Sequence, residues 1–158
     1  SYAGAVSLNI NETLKISKYR RFTTVFGNTN YIKKFKHKYK NINLKKNLFQ
    51  SQNKKYVEEF IRLEKKNNSD LIELHNRPIY LNYLIKELKN KTYLLYFHND
   101  PLTMSGSKTI YERIFLLKNC FKIIFNSNWS KRRFLEGMKS DYINSEKLIV
   151  INQSAKKK

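Results

Sequence analysis

Short apolar runs alternate with helical periodicity along the chain, and that alternation predicts most of its elements. Over Ala5 to Ser17, Val6, Ile10, Thr13, Leu14 and Ser17 fall on one helical face. Phe22 to Asn28 (FTTVFGN) is rich in β-branched and aromatic residues and closes on Gly27-Asn28, so it reads as a strand with its turn. A long loop follows. Ser51 is a good N-cap for a helix in which Tyr56, Phe60 and Leu63 recur at i, i+4 and i+7. Ser69 to Leu74 reads as a short strand ending at His75-Asn76-Arg77-Pro78. Asn76 then caps a helix with Leu81, Leu84, Ile85 and Leu88 on its inner side.

Thr92 to Phe97 (TYLLYF) is almost continuously apolar, as a strand covered on both faces must be. Thr109 and Glu112 form a capping box that opens a helix with Ile110, Ile114, Leu117 and Phe121 along one face. Lys122 to Phe125 is a further buried strand, Ser127 starts a helix through about Met138, and Lys147 to Ile151 is a last strand. Two-sided apolar strands alternating with helices mean βαβ units and a parallel sheet: a doubly wound, Rossmann-like α/β domain with helices on both faces. Such sheets bind ligands at the carboxyl ends of their strands, which puts His75, His98, Asp100, Asn126 and Ser127 on the binding edge. The first strand is expected before Ser1 and a further domain after Lys158, with residues 1–151 as the Rossmann-like unit and 152–158 as the start of a linker.

Charge adds a second theme. Thirty-two Lys and Arg against 12 Asp and Glu give a formal charge of +20, which favours nucleic acid, phosphate-bearing ligands or an anionic membrane. A genome rich in A and T, over-supplying Lys, Asn, Ile, Tyr and Phe, accounts for the same excess. Lys33, Lys34, Lys36, Lys38, Lys40, Lys45 and Lys46 crowd one stretch without an acid. They read as a solvated loop, as a foot on anionic lipid, or as a strip for single-stranded nucleic acid. A basic nucleic-acid-binding α/β module is therefore the alternative function, although no RNP1, zinc-finger or helix-turn-helix signature accompanies it. No apolar run approaches the roughly 18 residues that span a bilayer, and the expectation is a soluble cytoplasmic protein able to rest on a membrane.

Candidate chemistry is sparse. Cys120 is the single cysteine, which excludes an internal disulfide and a cysteine-based zinc site. His75 and His98 each end an apolar run and are each followed by Asn. With His37 in the lysine run and no H-x-x-x-H spacing, they suit a sugar hydroxyl better than a metal. Among acids only Glu73 and Asp100 fall near the binding edge, and Glu73 is open to facing inward. Ser1 to Ser7 reads either as a phosphate-cradling loop at a helix N-terminus or as a loop that needed the small Gly4. The residues alone describe a binding half more than a complete catalyst.

Several segments, in this order, resemble one family: YAGAVSLNINETLKISKYRRFTTVFG, DLIELHNRP, YLLYFHNDP, KTIYERIFLLKNCFKIIFNSNWSKRRFLEG and KLIVINQS. Together they are similar to the N-terminal half of retaining glycosyltransferases of family 4, with the GT-B fold. The likeness covers most of the chain outside residues 28–50. It implies an acceptor-side domain lacking the first strand of its sheet. The family's cleft-lining loop matches Ala3-Gly4-Ala5, with one glycine where the pattern has two. The histidine that reaches the transferred sugar matches His98. His75, Asn76 and Arg77 match an acceptor-side strand tip, Asn99 and Asp100 follow the central histidine, and Asn126-Ser127 matches a turn that opens a helix near the cleft. The resemblance implies sugar transfer from a nucleotide-sugar to a glycan or lipid-linked acceptor, with retention and without a cofactor or obligatory metal. The donor site and an E-x7-E pair belong to the family's second domain, so this chain alone is expected to be inactive.

Overall fold

The computed structural model describes residues 4–29, 37–44 and 51–152. The chain divides into two compact units, Ser1–Leu63 and Glu64–Lys158.

In the first unit, helix α1 (Ala5–Ile16) starts after Gly4, which has no side chain with which to cap it, and buries Asn11 and Leu14. Strand β1 (Val25–Gly27) is shorter than the FTTVFGN pattern suggests. Its expected first residue, Phe22, lies in a turn and is 86% exposed. Strand β2 (Tyr39–Asn41) pairs with β1 in parallel, Phe26 opposite Lys40. This strand sits in the stretch read as loop, where interspersed lysines hide the apolar signal; the adjacent Ile42 is fully buried. A Cβ on Gly27 would come within 2.5 Å of the Tyr39 hydroxyl, so a larger residue there would have to push that side chain aside.

Helix α2 (Gln52–Asn67) opens with the expected cap, Ser51 Oγ accepting from Lys54 N at 3.3 Å. Its most buried line is Val57, Ile61 and Glu64, one residue out of phase with the predicted Tyr56, Phe60 and Leu63, which are half-buried. Phe60 meets Phe26 edge-to-face at 4.9 Å. Glu64 explains the altered phase in the second unit. Its carboxylate accepts from Ser69 N at 2.5 Å, from Ser69 Oγ at 3.2 Å and from Asn67 Nδ2 at 3.3 Å. A buried acid thus ties the helix end to the start of the next strand, with Asn68 turning the chain at φ 54°.

The second unit is built on a four-stranded parallel sheet in chain order: β3 (Leu71–His75), β4 (Thr92–Phe97), β5 (Lys122–Phe125) and β6 (Leu148–Val150). Helices flank it, a Rossmann-like α/β arrangement. A 3₁₀ turn (Pro78–Tyr80) and α3 (Leu81–Glu87) connect β3 to β4. A second 3₁₀ turn (Pro101–Thr103) and α4 (Ile110–Asn119) lead to β5. Helix α5 (Asn128–Leu135) and the short α6 (Ser140–Ile143), which the pattern did not foretell, lead to β6.

The Thr109–Glu112 capping box of α4 forms as read, with both reciprocal bonds in place. The buried side of α4 is Arg113, Leu116 and Leu117, while Ile110 and Phe121 are exposed, so the expected apolar line is again displaced. Helix α5 stops at Leu135, short of Met138, because Glu136 leaves helical geometry and Gly137 takes φ 75°.

Alternation along the strands gives the sheet two faces. Ile72, Leu74, Leu95, Phe97, Ile123 and Phe125 are buried on one, where Phe134 of α5 packs 5.7 Å from Phe97 and 5.3 Å from Phe125. Glu73, His75, Tyr96 and Ile124 alternate onto the other, aligned by the pairings His75 to Tyr96 and Tyr96 to Ile124. Strand β3 is not the two-sided apolar strand expected: Leu71 and Glu73 are exposed. Among the described residues β3 lies at the edge of the sheet and pairs only with β4, and edge strands carry more water-facing side chains than central ones.

Candidate functional site at the strand ends

Because all four strands run the same way, their last residues gather on one edge of the sheet. His75 ends β3. Asn76 follows in the left-handed region at φ 53°, a conformation asparagine adopts more easily than most residues. Its backbone N–H donates to Tyr96 O at 2.9 Å, and its Oδ1 accepts from His98 N at 2.7 Å. Asn76 therefore does not cap a helix, as its position before Pro78 suggested. The following 3₁₀ turn has Arg77 at its N-cap without a side-chain bond, and the Asn76 side chain is taken by the neighbouring strand tip.

His98, one residue beyond β4, is held from its other side as well. Asn126 Nδ2 donates to His98 O at 2.7 Å, and Asn126 N donates to Phe97 O at 3.2 Å. The Asn126 Oδ1 accepts from Ser130 Oγ at 3.0 Å, and Ser127 Oγ caps α5 by accepting from Ser130 N at 3.2 Å. The His98 backbone is thus pinned by two asparagines from two adjacent strands.

The rings complete the cluster. Tyr96 stacks on His98 with centroids 4.4 Å apart and planes 15° from parallel, and His75 stands 5.1 Å from His98. His75 Nδ1 and His98 Nε2 lie 2.8 Å apart, a hydrogen bond between imidazoles. On the far side of His75, its Nε2 is 3.3 Å from Glu73 Oε1. Carboxylate, imidazole and imidazole therefore form one line along the sheet face.

Electrostatics follow from this line. Burial, reinforced by the neighbouring charge of His75 and only partly opposed by Glu73, pushes His98 down to about 4, so its ring is neutral at physiological pH. For Glu73, desolvation acts upward, but the hydrogen bond and charge of His75 and the charge of His98 outweigh it, and its carboxyl titrates below the ordinary carboxylate range. Tyr96 is shifted upward by desolvation and by the charge of Glu73, and its hydroxyl donates to Ile151 O at 3.4 Å.

The remaining sequence-predicted residues fall into three groups. Asp100 is near the cluster but engaged: Oδ1 accepts from Leu102 N at 3.0 Å, and Oδ2 pairs with Arg133 at 3.2 Å. Asn99 is exposed at the tip, and Arg77 donates from Nη1 to Asn76 O at 2.9 Å. Gly4 is the N-cap of α1 and Ala5 its first residue in the first unit, where a Cβ on Gly4 would meet nothing among the described residues; Lys38 precedes β2 and Lys40 lies within it. Lys33, Lys34, Lys36, Lys45 and Lys46 lie outside the described residues, as does Ala3. Sequence reasoning passed over Tyr96, Ser130 and Arg133. The i, i+2 spacing of Glu73 with His75 and of Tyr96 with His98 was the available signal, since it puts each pair on one strand face.

Among the described residues no group of three or more His, Cys, Asp or Glu side chains is placed to hold a metal ion, and no helix is long and apolar enough to cross a membrane. No protein-family model, no curated protein and no solved structure matches the chain.

Proposed function

We propose that this chain is the acceptor-side domain of a retaining glycosyltransferase. The edge formed by His75, Asn76, His98 and Asn126 would receive the hydroxyls of a sugar that reacts with a nucleotide-sugar donor. The observation that carries the reading is the neutral, doubly pinned His98 at the end of a central parallel strand. A neutral imidazole is a hydrogen-bonding group of the kind a sugar hydroxyl meets, one nitrogen of this ring already bonds His75, and its fixed backbone gives the ring one orientation. The resemblance of the strand-end segments to family 4 enzymes supports the same assignment and supplies the reaction class, with no cofactor and no obligatory metal. In this reading the lysines around β2 serve peripheral contact with the anionic cytoplasmic face of a membrane, where a lipid-linked acceptor would be found.

The test is a titration of isotope-labelled protein with oligosaccharides and nucleotide-sugars, followed through the imidazole resonances. The chain has three histidines, so the signals of His75 and His98 are readily assigned. Saturable shifts of both rings with a saccharide are expected. Rings that ignore every saccharide, in a protein that binds RNA with steep salt dependence, would replace this reading with that of a nucleic-acid-binding module.

A further inference from the structure

The strand-end edge continues past the histidines onto the first turn of α5, which carries the single tryptophan of the chain. Trp129 follows the Asn126-Ser127 turn closely and is 51% exposed. Ser130 and Phe134 form the buried side of this helix, and Trp129 and Arg133, also four residues apart, share the neighbouring face. An indole half in water at a strand end leaves a large apolar surface uncovered.

The ring is held in place. The guanidinium of Arg133 lies over it, 6.0 Å from the ring centroid. That guanidinium is itself gripped from two sides: Nε and Nη2 donate to Asp100 Oδ2 at 3.3 and 3.2 Å, and Nη1 pairs with Glu136. Facing two carboxylates, Arg133 acts as a strut for the indole and not as a free anion ligand. Among the described residues the indole makes no other ring contact, and its N–H has no acceptor. The segment after β4 is tied to the α5 segment at both ends, by Asn126 to His98 O and by Arg133 to Asp100. Asn99 stands between these ties and is exposed, as is Asn128 beside the indole. Neither amide is hydrogen-bonded among the described residues.

We propose that Trp129 is a stacking platform for one pyranose ring of the saccharide, with the amides of Asn99 and Asn128 meeting the hydroxyls at its rim. The inference rests on the sugar-binding reading above and adds to it the ring face that is recognised. The face of an indole carries negative potential, which attracts the slightly positive axial C–H bonds of a pyranose, and stacking removes both apolar surfaces from water. A gluco-configured ring suits this best. Its hydroxyls are equatorial, so its faces present C–H bonds while its oxygens point outward, where an amide can donate and accept. Because the strut sets the ring beforehand, little ordering is left to be done on binding.

As the chain has one tryptophan, its emission reports on this platform alone in the intact protein. Titration with maltose and with cellobiose should shift that emission saturably and protect the indole from acrylamide quenching. Emission that ignores both sugars, or that answers a single-stranded RNA oligonucleotide and neither sugar, would overturn the proposal. Trp129→Ala should weaken saccharide binding about tenfold by calorimetry, and Trp129→Tyr should recover most of the loss. Unchanged affinity in Trp129→Ala would be equally fatal. The wild-type titration decides even if a variant fails to fold. Imidazole resonances that shift with a sugar while the indole stays silent sink the platform alone. An indole that responds while both imidazoles stay silent sinks the assignment of His75 and His98 alone.

Discussion

Asn76 and Asn126 occupy equivalent places, each just after a strand, and both hold His98. They do so in opposite senses. Asn76 accepts from the His98 N–H and sits at φ 53°, whereas Asn126 donates to the His98 carbonyl from an ordinary backbone and is itself held by Ser130. Beside the first lies the line of Glu73, His75 and His98; beside the second, hydroxyl groups close on one another around a helix cap. One tip brings ionisable side chains into contact and the other holds a backbone. A strand end thus acquires chemistry when ionisable groups alternate onto its face, and serves as a clamp when they do not.

The largest effect expected comes from charging what the two asparagines hold. His98 titrates at about 4 in the fold against 6.5 in the unfolded chain. Its folded pKa is depressed, so its stabilising contribution is complete above 6.5 and is lost as pH falls towards 4. That loss amounts to about 3 kcal/mol. Urea denaturation of the wild type and of His98→Gln at neutral and acid pH should show this part of the acid limb in the wild type only. Coincident limbs would mean that a buried neutral His98 is not what the clamp protects.

Next in size is Asn76→Ala, which leaves the His98 N–H without its acceptor and places alanine in the left-handed region; a loss of about 2–3 kcal/mol is expected. Asn76→Gly should recover about 1 kcal/mol of it, because glycine accepts that backbone freely. Equal stabilities of the two variants would show that the strained backbone contributes nothing to the difference between the tips. The smallest effect belongs to Asn126→Ala, with a loss of about 1 kcal/mol and no backbone component. A larger loss than for Asn76→Ala would reverse the ranking of the two clamps.

Legibility varied with how local each feature is. TYLLYF became β4 over the residues expected, and the capping box at Thr109 and the Ser127 cap formed as read, because these depend on neighbours within a few residues. Features that depend on distant partners were misread. β2 lacks an apolar run and exists through its pairing with β1. The buried line of α2 includes Glu64, which no hydrophobic pattern selects, because Ser69 completes its hydrogen bonds. Asn76 has the composition of a helix cap, but the N–H of His98 competes for its side chain and wins.

The sequence by itself determined a parallel α/β unit whose polar residues stand at the strand ends, since apolar runs, turn residues and caps are properties of short segments. Only the tertiary structure decided that His75 meets His98 across 23 positions of the chain, with Glu73 behind it and Tyr96 beneath. The reason is register. A period of two says which side chains share a face, but not which residue of the next strand each will meet. That choice was made by the pairing of His75 with Tyr96, set as β3 and β4 docked along their whole length.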